Sequence, residues 1–340
     1  MGDRKFWNEK IKKENIISHL SGKRDIVELV INSDMESDNA CFSLSGIMIR
    51  SRGFLYPTAG GFDLGCGVAS YKLNCRYINI NKLKNETHTI FSISRRKFKP
   101  SSMKEQFSAC LQEYMEHTCI WFGTIEKGNH FVEIRRDSEG YFYINIHSGI
   151  PEAFQLYFAG KFLQLAKKWV KDYSNLKCGY ELWIPIQEKD AQEYIQDAKA
   201  ANLYAKANRS YIAEAVADIL DVSITDTVDS SHEFIYCEGE DVIHSNGTQE
   251  FQQRKNKCQA VIICGKERET VIVNKIGDKR FINHGTILNE ISQEGERCYS
   301  SLKEVMDTKD FCAAVEPDVG LFPYISCKKV EGKYEYQIFI

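Results

Sequence analysis

From residue 68 to 75 apolar and polar side chains alternate: Ala69, Tyr71, Leu73 and Cys75 share one face, Lys72 and Asn74 the other. A period of two predicts a strand covered on one side. Over 103–117 the period changes, and Phe107, Cys110, Leu111 and Tyr114 fall at helical spacing. The β-rich runs 131–136 and 141–148 flank Asp137-Ser138-Glu139-Gly140, a turn composition, and predict a hairpin. Pro151 then opens a helical run through Phe158, Phe162, Leu165 and Trp169, at a first-turn position where its missing N–H is tolerated. Residues 188–220 read as one long helix with a stripe of Tyr194, Ile195, Ala198, Ala201, Ala205, Arg209, Ile212 and Val216. Its alanines predict close packing, with Asn202 and Arg209 near the buried face. Short strands return over 233–273, beginning with a hairpin that turns near Glu238-Gly239. Strands and helices do not alternate regularly, so the fold class is α+β rather than a doubly wound sheet.

The first hairpin carries a register argument. A two-residue loop at Ser138-Glu139 pairs Asp137 with Gly140, and a four-residue loop about the same centre pairs Arg136 with Tyr141. Either register sets His130 directly opposite His147, with Cβ atoms about 4.5–5.5 Å apart. A loop of odd length would separate them. Two imidazoles that close, at the open end of one hairpin, can bind one metal ion or two adjacent ones.

A chain of 340 residues has ample core for one large or two ordinary domains. With six prolines, no repeat and no Gly/Ser-rich stretch to mark a boundary, one domain over 1–340 is expected. A net charge of −3 argues against a protein that coats nucleic acid by charge alone. It leaves room for a local basic groove, and Arg95-Arg96-Lys97-Phe98-Lys99, basic with an aromatic inside, is a candidate. The 12 cysteines include no Cys-x-x-Cys pair, which argues against a zinc ribbon or a thioredoxin-type motif. Neither a signal-type apolar region nor a run near the roughly 20 residues of a membrane span is visible. The expectation is a cytoplasmic protein with reduced, mostly buried thiols.

Candidate chemistry collects in short clusters rich in Gly, Asn, Asp or Ser. They are Gly61-Phe62-Asp63-Leu64-Gly65-Cys66-Gly67-Val68, Gly128-Asn129-His130-Phe131-Val132-Glu133 and His147-Ser148-Gly149. Asp229-Ser230-Ser231-His232, His244-Ser245-Asn246-Gly247 and Asn283-His284-Gly285 follow. One carboxylate, one thiol and several imidazoles held near turns can supply a site for a divalent transition metal. Taken alone, the Gly-rich turn reads equally as a tight turn with a buried cysteine, and His284 as a loop histidine. His19, His88 and His117 carry no motif and read as surface or helix-end residues.

In their order and residue types these clusters resemble the RtcB family of RNA-splicing ligases, over about 45–285. Gly61 to Val68 is similar to the family's Gly-Phe-Asp-x-x-Cys-Gly-Val, and Gly128 to Glu133 to its Gly-Asn-His-Phe-x-Glu. His147-Ser148-Gly149, Ala207-Asn208-Arg209, His232, His244-x-x-Gly247 and His284-Gly285 match further motifs in sequence. The resemblance implies packed β-sheets with flanking helices around a central metal site. It implies joining of an RNA 3′-phosphate or 2′,3′-cyclic phosphate to a 5′-hydroxyl, with GTP and two Mn²⁺ ions. By resemblance, Asp63, Cys66, His130, His147 and His232 hold the metals, and His284 becomes guanylylated. Asn129 would touch a phosphate, Phe131 and Glu133 would line the guanine site, and Asn283 and Gly285 would flank the nucleotide. Candidate RNA contacts are Arg95, Arg96, Lys97 and Arg209. A monomer is expected, with an activating protein partner left open.

The chain departs from the family where phosphate is held. His-Ser-Gly is followed by Ile150-Pro151-Glu152 in place of Ser-Arg-Gly, and His-Arg-Lys-Gly becomes His244-Ser245-Asn246-Gly247. The family's C-terminal Lys-Gly has no counterpart in Tyr336-Gln337-Ile338-Phe339-Ile340. A charge-assisted phosphate contact contributes about 1.5–3 kcal/mol, so three functions stay open. One is a metal-dependent RNA ligase. The second is a non-ligating paralogue that binds metal and RNA ends or a partner protein. The third is metal-dependent transfer to another phosphorylated end.

Overall fold

A computed structural model describes residues 13–38, 43–86, 96–97, 106–118, 121–123, 125, 130–254, 256–264, 268–285, 314–330 and 333–339. Among these residues nine strands form one antiparallel sheet. Its order is Ile224–Ser231, Gly67–Leu73, Phe142–Ser148, Phe131–Arg136, Val315–Val330, Thr270–Lys275, Lys257–Ile263 and Gln252–Arg254, with Lys333–Ile338 also paired to Val315–Val330. The sheet curls until its ends meet. Arg254 forms an ion pair with Asp226 there, and Val228 packs with Val261 and Ile263 in a cluster that includes Val68, Phe131, Tyr143 and Leu321. This is a nearly closed barrel, and closure leaves few unpaired edges.

Alternation along the strands sorts their side chains. Phe131, Glu133 and Arg135 share one face of Phe131–Arg136, and Val132 and Ile134 the other. The outer set joins Ile144 and Ile146 beneath Ile212, Ala213 and Val216 of the long helix Lys189–Leu220. The helix matches its expected span within a residue and ends at Asp221, whose φ of 59° is left-handed. The helix Glu152–Trp169 buries Phe154, Phe158, Phe162 and Leu165 in a second core with Tyr194, Ala198 and Ala201 of the long helix. No described helix is long and apolar enough to cross a membrane.

A smaller sheet runs Ile26–Asp38, Ser43–Arg52, Asp241–Asn246, Glu233–Glu238. Its last two strands form the expected hairpin, with Glu238 opposite Asp241 and the turn at Gly239.

Two expectations are corrected. The helix expected over 103–117 begins at Ala109 (103–105 lie outside the described residues). Ser108 stops it from extending backward: its Oγ accepts the Leu111 N–H at 3.2 Å, as an N-cap does. Its own N–H and O–H both donate to Asp197 of the long helix at 2.8 Å. The His130 hairpin is shifted by one residue: Arg136 pairs with Phe142, and Phe131, not His130, stands opposite His147. The loop holds an odd number of residues because Gly140 takes a left-handed φ of 90°, which closes Ser138-Glu139-Gly140 under an Asp137 N–H to Tyr141 C=O bond of 3.0 Å.

The smaller sheet holds a buried titratable group apart from the histidine cluster. His244 Nε2 accepts the Tyr56 N–H at 3.0 Å, while Nδ1 lies 3.3 Å from the Ile49 carbonyl. That is the neutral Nδ1–H tautomer, and a proton on Nε2 would face another N–H. Burial holds the imidazole down at about 4, with the bond to Ile49 acting the other way. The unfolded chain takes up this proton near its ordinary 6.5, so the stability from His244 is complete above pH 6.5 and lost as pH falls toward 4. Between pH 7 and pH 5, urea unfolding should show the native chain losing about 2 kcal/mol more than His244→Gln loses. Equal losses would show that His244 does not titrate in this way.

Candidate functional site

The strand Gly67–Leu73 lies between two neighbours. Gly67 is paired with Ser148 on one side and Ser231 on the other. Cys66 and His232, just outside their strands, and His147, next to the last residue of its own, therefore lie together at one end of these three strands. The Cys66 carbonyl accepts the His232 N–H at 2.8 Å, and the His232 carbonyl accepts the Gly247 N–H at 2.8 Å. His284 follows the strand Phe281–Asn283, which pairs with Thr248–Glu250, and its carbonyl accepts the Ile263 N–H at 3.2 Å.

The side chains converge in the same place. Cys66 Sγ lies 3.2 Å from His147 Nε2 and 3.4 Å from His130 Nε2, and the ligand atoms of these three buried residues all fall within 4.8 Å of one another. Asp63 Oδ2 is 3.2 Å from His130 Nε2. The other Asp63 oxygen accepts the Ile150 N–H at 2.8 Å, and the Asp63 N–H donates to Glu233 at 3.1 Å. The rings continue in a row: His130 to His147 at 4.9 Å between centroids, His147 to His232 at 5.3 Å, His232 to His284 at 4.4 Å. His130 reaches His147 despite the shifted register because it stands just before the first ladder residue, outside the alternation that binds Phe131.

Burial sets the charge state. It pushes the Cys66 thiol well above its ordinary value, helped by the nearby Asp63 and Glu233 carboxylates. It holds His232 well below the usual imidazole range, with His284 and His147 adding to the effect. His284, only partly exposed, is brought down to about 4 by the same burial, against a hydrogen bond with the Gly247 backbone. Without a cation the thiol and these two rings are thus uncharged near neutral pH.

The residues fit a transition metal. Sulfur and imidazole nitrogen with a carboxylate beside them form a borderline donor set. Nδ1 of His232 is buried with no hydrogen-bond partner among the described residues. Such an orphan costs about 1–3 kcal/mol, a cost that coordination through this nitrogen would remove. The same buried, unpartnered state holds for Nδ1 of His130, whose Nε2 faces Cys66.

The other sequence candidates separate. Phe131 packs its ring 5.6 Å from His147. Glu133, two residues on, shares that inner face and pairs with Arg135 at 2.5 Å, both fully buried. Sequence reasoning passed over Arg135, although an acid and a base two apart in a strand share a face. It also passed over Glu233, which carries no motif. Asn283 Oδ1 accepts the Gly285 N–H at 2.9 Å and lies 3.2 Å from His284 Nδ1. Arg96 and Lys97 form a short strand against Trp121–Phe122. Asn208 holds that pair to the long helix, its Oδ1 accepting the Gly123 N–H at 2.7 Å. Arg95 and Asn129 lie outside the described residues. Arg209 is corrected: it is fully buried, with its guanidinium on Asp229 and on the Gly65 and Ser148 carbonyls, so it cannot reach RNA.

The sequence model of the tRNA-splicing ligase RtcB family matches residues 99–285. His130, His147, His232 and His284 fall inside that span, while Asp63 and Cys66 precede it. No curated protein matches the chain.

A Cβ on Gly149 would stand 2.1 Å from Asp63 Oδ1, so the carboxylate occupies the space of the missing side chain. Gly149→Ala should cost about 1–3 kcal/mol through overpacking and displace Asp63. A melt of the purified variant unchanged from the native chain, with unchanged metal content, would contradict this contact.

Proposed function

This chain belongs to the tRNA-splicing ligase RtcB family, and on that premise we propose that it joins RNA 3′-phosphate ends to 5′-hydroxyl ends through a guanylylated His284, using GTP and two Mn²⁺ ions. One observation carries the reading: Cys66, His130 and His147 meet within 4.8 Å, and His232 and His284 extend the row. Asp63, Cys66, His130, His147 and His232 would hold the metal, which when bound supplies Lewis-acid stabilisation of phosphoryl oxygens.

His284 suits the nucleophile's part because burial keeps its imidazole unprotonated near neutral pH. A ring nitrogen attacks the α-phosphorus of GTP as the bond to pyrophosphate breaks. The guanylyl group then passes to an oxygen of the RNA 3′-phosphate, which restores the free imidazole. The 5′-hydroxyl attacks the 3′-phosphorus, GMP leaves with the bonding pair, and the hydroxyl proton goes to solvent. A 2′,3′-cyclic phosphate enters after water opens it. Phe131 and Glu133 would receive the base, and Asn129, Asn283 and Gly285 would lie along the nucleotide. Arg95, Arg96 and Lys97 would meet the RNA. We read the chain as one catalytic domain acting as a cytoplasmic monomer.

A second reading has its own support. Pro151, Ser245 and Asn246, which stand where the family's phosphate-binding cations are expected, are buried, and Ser245 Oγ is bound to the His232 and Thr248 carbonyls. A paralogue built this way would bind metal and RNA ends without ligating them.

Incubation with Mn²⁺ and α-labelled GTP should leave an acid-labile label on the native protein and none on His284→Ala. Matched RNAs ending in 3′-phosphate or 3′-hydroxyl should be joined only in the first case. Metal and RNA-end binding with no label would establish the second reading instead, and label that survives His284→Ala would remove His284 from its role.

A further inference from the structure

The guanidinium of Arg209 does more than neutralise Asp229. Nη1 donates to the Gly65 carbonyl at 2.8 Å, and that carbonyl belongs to the peptide joining Gly65 to Cys66. Nη1 also donates to the Ser148 carbonyl at 2.6 Å, between His147 and the Gly149 that borders the Asp63 carboxylate. Nη2 lies 2.7 Å from Asp229 Oδ1 and 3.4 Å from Ser231 Oγ, and Ser231 precedes His232. Every segment that Arg209 touches therefore carries a member of the candidate metal set next to the contact.

We infer that Arg209 is a positioning residue for the metal centre, one buried guanidinium that fixes the Cys66, His147 and His232 segments relative to one another. The inference deepens the metal reading above and rests on it.

The chemistry calls for arginine. Its planar fork directs several donors to acceptors on different segments, while a lysine ammonium reaches fewer of them from one point. Asp229 balances the charge of Arg209 through Nε and Nη2, and the Nη1 hydrogens, which burial would otherwise leave unpaired, are met by the Gly65 and Ser148 carbonyls, so satisfying the guanidinium ties these segments together. The long helix also contributes along the same face. Asn202 Oδ1 accepts the Ser231 hydroxyl at 3.0 Å, and a Cβ on Gly65 would stand 2.7 Å from the Ala205 methyl. Asn202, Ala205 and Arg209 thus set the height and spacing of the loops whose donors must meet a cation. A site of this kind tolerates errors of only about 0.5 Å in ligand position.

The test is a Co²⁺ titration of the full chain stripped of metal, followed by the thiolate-to-cobalt charge-transfer band, with circular dichroism to monitor folding. Arg209→Lys should remain folded, bind Co²⁺ at least ten-fold more weakly and show a diminished Cys66 band. Asp229→Asn, which loosens the fork but keeps the arginine, should shift both in the same direction by less, and it decides the matter if Arg209→Lys does not fold. Asp197→Asn breaks a buried contact remote from the cluster. It should lower the melting temperature while leaving affinity and band unchanged, which separates positioning from general destabilisation. Native affinity and an unchanged band in Arg209→Lys, or in Asp229→Asn if the first fails to fold, would overturn the inference. A native chain that binds no Co²⁺ overturns both this inference and the metal reading. Native binding that weakens in Arg209→Lys without any guanylylation of His284 supports the inference and removes only the ligase.

Discussion

Gly67 forms backbone pairs with Ser148 and Ser231 at once, and the two flanking strands close in on it. The approach leaves no room for a side chain, because a Cβ there would stand 2.5 Å from the Ser230 carbonyl. Three chain segments distant in sequence end together as a result, each with a metal-binding residue one position from its last or first paired residue. The sheet's antiparallel order and its curl toward closure follow from the same pairings, and the smaller sheet is tied to them through the Cys66, His232 and Gly247 backbones.

Gathering a thiol and several imidazoles in a dry interior costs free energy unless the groups stay neutral or find partners. Both routes are used. The thiol and His232 are driven toward their uncharged forms, and Asp63 is held by backbone and side-chain bonds. The apolar faces around the cluster offset the rest: Ile144 and Ile146 under the long helix on one side, Val68 and Phe131 inside the curled sheet on the other.

Much of this was legible in the sequence. The long helix and the α+β class follow from periodicity, and the family resemblance implied that Cys66, His130 and His147 would meet. The register of the first hairpin did not, because the composition Asp-Ser-Glu-Gly suits loops of several lengths and only the left-handed Gly140 selects an odd one. His130 still met His147, through backbone freedom beyond the ladder rather than through cross-strand pairing. The helix start at Ala109 was hidden for a different reason: Phe107 keeps the helical spacing, yet Ser108 caps the helix and is anchored to Asp197 far along the chain. The helical stripe set Arg209 near the buried face, yet nothing local separated an internal anchor from an RNA contact, because its acceptors come from three remote segments. The Glu133–Arg135 pair was visible in principle as opposite charges on one strand face.

The adjacent residues Asn208 and Arg209 fasten the long helix in two directions, one toward Gly123 and the other toward Gly65 and Ser148. Neighbouring positions on an α-helix point about 100° apart, so these tethers together determine its rotation about its own axis. An insertion or deletion of a single residue between Asn202 and Arg209 would turn one half of the helix by that angle against the other. Length in this stretch is therefore as constrained as residue identity, and variation in the size of the protein has to be accommodated in other parts of the chain.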